Sequence, residues 1–438
     1  MTEPFPDIKH QCLGLTLFRN TPSLYIAIEF SIRRYTGGPM HRSTIFTLIL
    51  LLVACGGGGG GGGGGTGNSP PGGGTAVTFG ADQIFPPPAF TGAHLVGTKA
   101  FHWEDLQREE LITSAAGDNR ELMVHLFYPT DSTIGDFQTP VVRTQHWTTL
   151  SNEQVVSGRV LRRSNYDGVF WPFEHEPAIS AADASYPVFI FSHGGGGAIE
   201  RNLFLIGELA SRGFVVAAIN HTYFTDFVSF PDGRLINGRG FGLDGDPAIT
   251  PAEEALLADA QNLWSDDQIF VLEQLISLGQ DPVSGFFGRL DMNRVVAGGF
   301  SFGGASAYEA ASKDSRIRAV VEGDGTIWQP AGLNIAVPLL FVQSGGGAQL
   351  SIFNQVNADG YAVLFDGGIT HLGIEDASLW WRWDFPTLNP FGARGGEDAL
   401  RTIGLVSGEF LRKYLDGNPA PSLDDPQQTP VGVRIMTF

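Results

Sequence analysis

Downstream of residue 81, short apolar runs alternate with stretches in which apolar positions recur at helical spacing. Seven runs, at 122–128, 188–192, 214–220, 294–300, 317–321, 337–343 and 361–365, have the length and bounding turn residues of strands. Between them, 199–212, 251–278, 303–313 and 397–415 read as helices. Strands alternating with helices predict a mostly parallel sheet covered by helices, an α/β architecture occupying residues 81–438. Two long segments, 130–186 and 222–250, break the alternation and carry Trp147, Phe170, Trp171, Phe173, Tyr223 and Phe224. Segments of that length inside a folded domain are usually functional insertions, so these aromatics are expected either to wall or cover a substrate site or to pack on the scaffold.

The chain upstream is patterned differently. Residues 40–54 read as a short secretory signal: Arg42 near the start, an uncharged apolar run from Ile45 to Val53, then Ala54 directly before Cys55. The run Leu52–Val53–Ala54–Cys55 resembles the bacterial lipobox, which implies that Cys55 receives a diacylglycerol thioether and becomes the first residue of an exported, membrane-anchored protein. Residues 1–39 fit poorly ahead of a signal and read as a mis-called upstream start. Residues 55–80 read as a glycine-rich linker, with no side chain to bury along Gly56–Gly65 and the following run to Thr75, long enough to hold the domain about 25–30 Å from the lipid.

Composition narrows the chemistry. Of 438 residues, 42% are hydrophobic and 17% charged, which suits a protein with a sizeable core. The only cysteines are Cys12 and Cys55, so the folded region has no disulfide, no redox thiol and no cysteine metal site. Without the first 54 residues, 22 basic and 43 acidic side chains remain, a net charge of −21 that repels nucleic-acid phosphates. No clustered metal-ligand set stands out and no cofactor is implied. Asp266 and Asp267, on a helical stretch, read as a solvated face or as partners for Arg294.

The chemistry concentrates at Gly299-Phe300-Ser301-Phe302-Gly303, a GxSxG sequence between an apolar strand and a helix. Such a turn lifts a serine hydroxyl above the edge of a sheet, where it can act as a nucleophile. A serine nucleophile needs a base, and His371 is the only histidine after Ser301. The orienting acid should lie between them, among Asp314, Glu322, Asp324, Asp359 and Asp366. The strand 337–343 is followed by Ser344 and glycines rather than an acid, whereas the preceding strand ends near Asp324, with Glu322 the runner-up. Acyl transfer also needs donors for the developing oxyanion. The N–H of Phe302 is one candidate. Gly195, in the His193-Gly194-Gly195-Gly196-Gly197 loop, supplies the other, with His193 as a loop organiser rather than a base.

Together the runs PVFIFSHGGGG, ELASRGFVVAAINHTYFTDFVSFPDGR, LDMNRVVAGGFSFGGA, the Asp324 loop and THLGIED resemble the platelet-activating factor acetylhydrolase family, in order, over roughly residues 120–376. The resemblance implies the α/β-hydrolase fold and a metal-independent serine esterase. Carried over position by position, it assigns the triad to Ser301, Asp324 and His371, and the oxyanion donors to Phe302 and Gly195. Two positions depart from the family: Phe300 replaces a histidine, and Gly195 stands where a larger residue is common. The expected reaction is hydrolysis of short-acyl esters, including phospholipids with short or oxidised sn-2 chains. A cutinase-like polyester hydrolase is the nearest rival; a catalytically dead binding lipoprotein on the same scaffold is the rival from another class.

Overall fold

All seven apolar runs are strands, and they lie side by side because each is apolar on both faces. A computed structural model describes residues 87–139, 153–156, 159–162, 169–243, 249–328, 333–344, 350–366, 369–380 and 395–438. The expected signal and linker, Cys55 and Trp147 lie outside the described residues. The sheet and its helices belong to the unit formed by Gly74–Gly242 and Thr250–Phe438.

In chain order the strands are β1 (Leu95–Glu109), β2 (Asn119–Thr130), β3 (Glu153–Val156), β4 (Arg159–Arg162), β5 (Phe173–His175), β6 (Tyr186–Ser192), β7 (Val215–Asn220), β8 (Phe227–Ser229), β9 (Leu235–Asn237), β10 (Leu290–Phe300), β11 (Ile317–Gly323), β12 (Leu339–Gln343), β13 (Gly360–Phe365) and β14 (Val433–Thr437). Ten of them join in one sheet in the order β14-β13-β12-β11-β10-β6-β7-β2-β1-β5. From β13 to β7 the six neighbours run parallel. Antiparallel β14 and β2 flank this block, and β1 pairs antiparallel with β2. The pairs β3–β4 and β8–β9 are separate hairpins.

Successive residues of the central strands enter opposite cores. On β6, Phe189 and Phe191 pack with the helices Leu203–Ser211 and Glu397–Asp416, through Leu209, Ile403 and Phe410. Val188 and Ile190 face the other side, where Val271, Leu272 and Leu275 of the helix Pro251–Gln280 close the core. The helix Phe302–Lys313 covers the same side further along, through Ala307, Tyr308 and Ala310. The long helix begins where its sequence says it should. Thr250 and Glu253 form a reciprocal capping box, and Pro251 occupies the first turn, where no N–H is needed.

The edges of the sheet were not evident as apolar runs. Along β1, half-buried and exposed positions alternate from Lys99 to Glu104, with His102 and Glu104 on the outer side, so it lacks the continuous apolar signature of a doubly covered strand. Within the interrupting segment 130–186, Trp171 and Phe173 do not wall a substrate site. Both are fully buried and stack with Phe90, at centroid distances of 6.1 and 5.6 Å, against the core. They belong to the scaffold. The helix expected at 199–212 is divided into a 3-10 turn, Ile199–Arg201, and the α-helix Leu203–Ser211.

Because β6, β10, β11 and β13 are parallel, the segments that follow them emerge along one edge of the sheet. Those segments contain the glycine loop, Ser301, Asp324 and His371. The carboxyl edge of an open α/β sheet is where such folds place their ligands.

Candidate active site

The strand β10 ends in a turn that only small neighbours permit. Ser301 adopts φ 53° and ψ −121°, a conformation rare for a residue with a side chain. Asp324 is likewise left-handed, at φ 56°. Conformations of this kind cost on the order of 1–3 kcal/mol each and persist where surrounding structure enforces them. Here the Ser301 N–H donates to Gly323 O at 2.6 Å, and the helix Phe302–Lys313 starts at once. A Cβ on Gly299 would lie 2.3 Å from Ser192 O, and one on Gly303 would lie 2.2 Å from the same oxygen. The two glycines of GxSxG therefore let the elbow close onto β6.

The residues that sequence placed 23 and 70 positions after Ser301 meet it in space. His371 Nε2 is 3.0 Å from Ser301 Oγ, and His371 Nδ1 is 2.7 Å from Asp324 Oδ2. His371 begins a 3-10 turn, His371–Ile374, anchored by the buried side chains of Ile369 and Ile374. The Phe300 ring packs on the imidazole, with centroids 4.7 Å apart. That contact is what an aromatic residue supplies at a position where histidine was expected.

Asp324, not Glu322, reaches the histidine. Glu322 points into the protein, where its Oε1 accepts the Gly325 N–H and its carboxyl packs beside Gly304. Burial, reinforced by the charge of Asp324, pushes the Glu322 carboxyl well above its ordinary range. Sequence reading missed the residue that holds Asp324. Ser344, following β12 where an acid was sought, donates its N–H to Asp324 Oδ1 at 3.0 Å and its hydroxyl to Oδ2 at 2.5 Å.

The glycine loop after β6 lies against the elbow. A Cβ on Gly194 would sit 3.4 Å from Ser301 Cβ, and one on Gly195 would sit 3.5 Å from Phe302 Cβ. Gly195 is glycine because Phe241 occupies the space a larger residue would use: the same added Cβ would be 2.6 Å from the Phe241 ring. Within the loop, Gly196 N–H donates to Phe224 O and Gly197 N–H to Gly194 O. Among the described residues, the N–H groups of Gly195 and of Phe302, at the first position of its helix, donate to no protein acceptor. Two donors beside one nucleophile are what an oxyanion requires. The segment 222–250 thus reaches the site through Phe224 and Phe241, whereas Tyr223 lies under the Arg239 guanidinium, at 5.0 Å.

Behind the loop, Arg201 bonds Asp226 at 3.1 Å and lies 3.8 Å from Glu375. The Asp376 N–H donates to Arg201 O at 2.7 Å, and its carboxylate accepts the Phe204 N–H at 3.0 Å. The segment carrying His371 is therefore tied to the glycine loop. Asp267 departs from expectation. It is fully buried and pairs with Arg120 and Arg108, while Arg294 pairs with Asp291 and Asp416. Asp266 does lie at the surface, bonded to Lys313.

A family profile described as "Platelet-activating factor acetylhydrolase, isoform II" matches residues 80–227, which include the glycine loop but not Ser301. The chain is 28% identical over 254 residues to a platelet-activating factor acetylhydrolase of Cavia porcellus, covering 52% of this chain and 58% of that one. It is 28% identical over 149 residues to a probable 1-alkyl-2-acetylglycerophosphocholine esterase of Arthroderma benhamiae, covering 33% of each. The match thus spans less than two thirds of either relative. In three dimensions it resembles a ferulic acid esterase from Streptomyces cinnamoneus, with a TM-score of 0.63 and 24% identity, over 80% of this chain and 98% of that one. That likeness shows the α/β-hydrolase fold.

Proposed function

We propose that this chain, a relative of the platelet-activating factor acetylhydrolases, is a serine carboxylic ester hydrolase acting through an acyl-enzyme. The observation that carries the reading is the continuous set of contacts from Asp324 through His371 to a serine held in a strained elbow. His371 Nε2 takes the Ser301 proton as Oγ attacks the acyl carbon, and Asp324 holds the imidazole in the tautomer that can accept it. The N–H groups of Phe302 and Gly195 receive the oxyanion. As the tetrahedral species collapses, His371 returns the proton to the leaving alcohol; a water, activated by the same nitrogen, then releases the acid.

Short-acyl esters, including phospholipids with short or oxidised sn-2 chains, are the proposed substrates, in keeping with the names of the two relatives. Hydrolysis of p-nitrophenyl esters from acetate to palmitate, run beside a phospholipid bearing an sn-2 acetyl group, tests this. A rate that falls steeply beyond butyrate, with release of acetate from the phospholipid, is the expected result. Preference for long chains or for an insoluble polyester would favour the cutinase-like alternative.

Export and lipid attachment at Cys55 complete the reading, with the enzyme held at the cell envelope by its glycine linker. An acyl chain contributes about 0.8 kcal/mol per buried CH₂, and two or more chains suffice for stable anchoring. Mass spectrometry of the mature N-terminus should find acylated Cys55. An unmodified Cys55 would remove the anchor and leave the esterase reading intact.

A further inference from the structure

A second serine, histidine and aspartate stand in hydrogen-bonding sequence beneath the glycine loop. Ser192 Oγ is 2.9 Å from His221 Nε2, and His221 Nδ1 is 2.9 Å from Asp267 Oδ2. All three residues are fully buried. Asp267 also binds Arg120 at 2.7 and 3.1 Å and Arg108 at 2.9 Å. Burial alone would raise this carboxyl, but the arginines and His221 outweigh it and hold it well below the usual carboxylate range.

Each proton in the array has one consistent place. An ionised Asp267 only accepts, so His221 Nδ1 is the donor and Nε2 accepts the Ser192 hydroxyl. Gln268 donates to the same Ser192 oxygen at 3.0 Å. The backbone N–H of His221 then points at His193 Nε2, 3.4 Å away, which makes His193 Nδ1 the donor to Gly194 O at 2.7 Å. Gly194 O accepts the Gly197 N–H as well, at 3.0 Å. The Gly194 carbonyl and the Gly195 N–H are opposite ends of one planar trans peptide and point in opposite directions, so fixing the first aims the second. Packing holds the relay rigid. Trp264 stacks on His221 at 3.8 Å and meets His193 at 4.9 Å and Phe302 at 5.0 Å, edge to face.

We propose that the buried His221–Asp267 pair is a positioning device which, through His193, sets the Gly194–Gly195 peptide and aims the Gly195 N–H at the oxyanion formed on Ser301. It is not a second catalytic centre: Ser192 lies inside β6, away from solvent, with its oxygen shared between His221 and Gln268. This role rests on the esterase reading above.

His221→Phe keeps an aromatic ring against Trp264 and removes both ring nitrogens, while His221→Asn retains a donor toward Asp267. With a short-acyl ester, His221→Phe should lower kcat about 10- to 100-fold, up to the effect of losing one oxyanion donor, with KM changed less than about threefold. Affinity for a short-chain trifluoromethyl ketone, whose adduct places a negative oxygen where the oxyanion forms, should fall by the same factor as kcat/KM. His221→Asn should recover part of both losses. If His221→Phe fails to fold, His193→Ala takes its place with the same readouts. Folded variants with full kcat, or with a loss confined to KM or to the melting temperature, overturn the proposal. A wild-type protein that neither cleaves esters nor binds the ketone would instead overturn the esterase reading, and this role with it.

Discussion

Two serine–histidine–aspartate arrays lie on neighbouring strands of one sheet, linked by contacts of nearly equal length: 3.0 and 2.7 Å around His371, 2.9 and 2.9 Å around His221. Their surroundings differ. Ser301 sits in a left-handed elbow at a strand end, partly open, with two N–H donors beside it that no described residue engages. Ser192 occupies ordinary strand backbone, fully buried, and its aspartate is bound by two arginines. Hydrogen-bond order alone therefore does not make a nucleophile. Access and nearby oxyanion donors do, and where they are missing the same three side chains serve as a brace.

The largest effect that would break this contrast is at the serines. Ser301→Ala should lower kcat on the order of a millionfold while melting normally, whereas Ser192→Ala should cost roughly tenfold, as removal of a brace would. Comparable losses at the two positions would erase the distinction. Steady-state rates on p-nitrophenyl acetate decide it.

The acids come next. Asp324→Asn should lower the rate about ten-thousandfold by favouring the wrong imidazole tautomer. Glu322→Gln, which swaps a buried carboxyl that does not reach His371 for an amide of similar shape, should stay within about tenfold. The reverse ranking would make Glu322 the residue that orients His371.

A smaller effect should appear at the loop itself. Gly195→Ala pushes a methyl against the Phe241 ring, 2.6 Å from the new Cβ, and should cost roughly tenfold in kcat by displacing a donor. Combining it with Phe241→Ala should restore much of that rate. A double variant no better than the single one would mean that the ring is not what excludes larger residues.

A separate test concerns acid stability. Burial, against the pull of Asp267, brings His221 down to about 4 from an ordinary 6.5. Between those values the unfolded chain binds a proton at this residue that the folded chain does not, so its contribution to stability falls as pH drops. Relative to His221→Phe, the wild type should lose up to about 1.4 kcal/mol per pH unit from pH 6.5 towards 4. Parallel melting curves for the two proteins across that range would place the proton elsewhere.

The central sheet was legible because doubly covered strands must be continuous apolar runs, and each one named from sequence is a strand. The chain order of serine, acid and histidine, with one histidine after Ser301, was equally readable; the fold supplies the rest by bringing four strand ends to one edge. β1 was not readable in this way, since half of its positions face outward. For Trp171 and Phe173 the two readings could not be separated, because an aromatic in a long irregular segment looks the same in sequence whether it walls a site or fills a core. Asp267 misled for a related reason. It sits beside the surface residue Asp266 in the same helix, and only the arrival of Arg120 from β2 and Arg108 from β1 reveals its burial. Long-range pairing of that kind leaves no local trace. The apolar neighbours Trp264 and Val271 were the one hint that this helix face turns inward.

The contrast between the two arrays is tested most directly by labelling the native protein with a fluorophosphonate and mapping the modified peptides by mass spectrometry. Stoichiometric phosphonylation of Ser301 with none at Ser192, in both the wild type and His221→Phe, is the expected result. Label on Ser192, or a wild-type protein that stays unlabelled at Ser301, would contradict it.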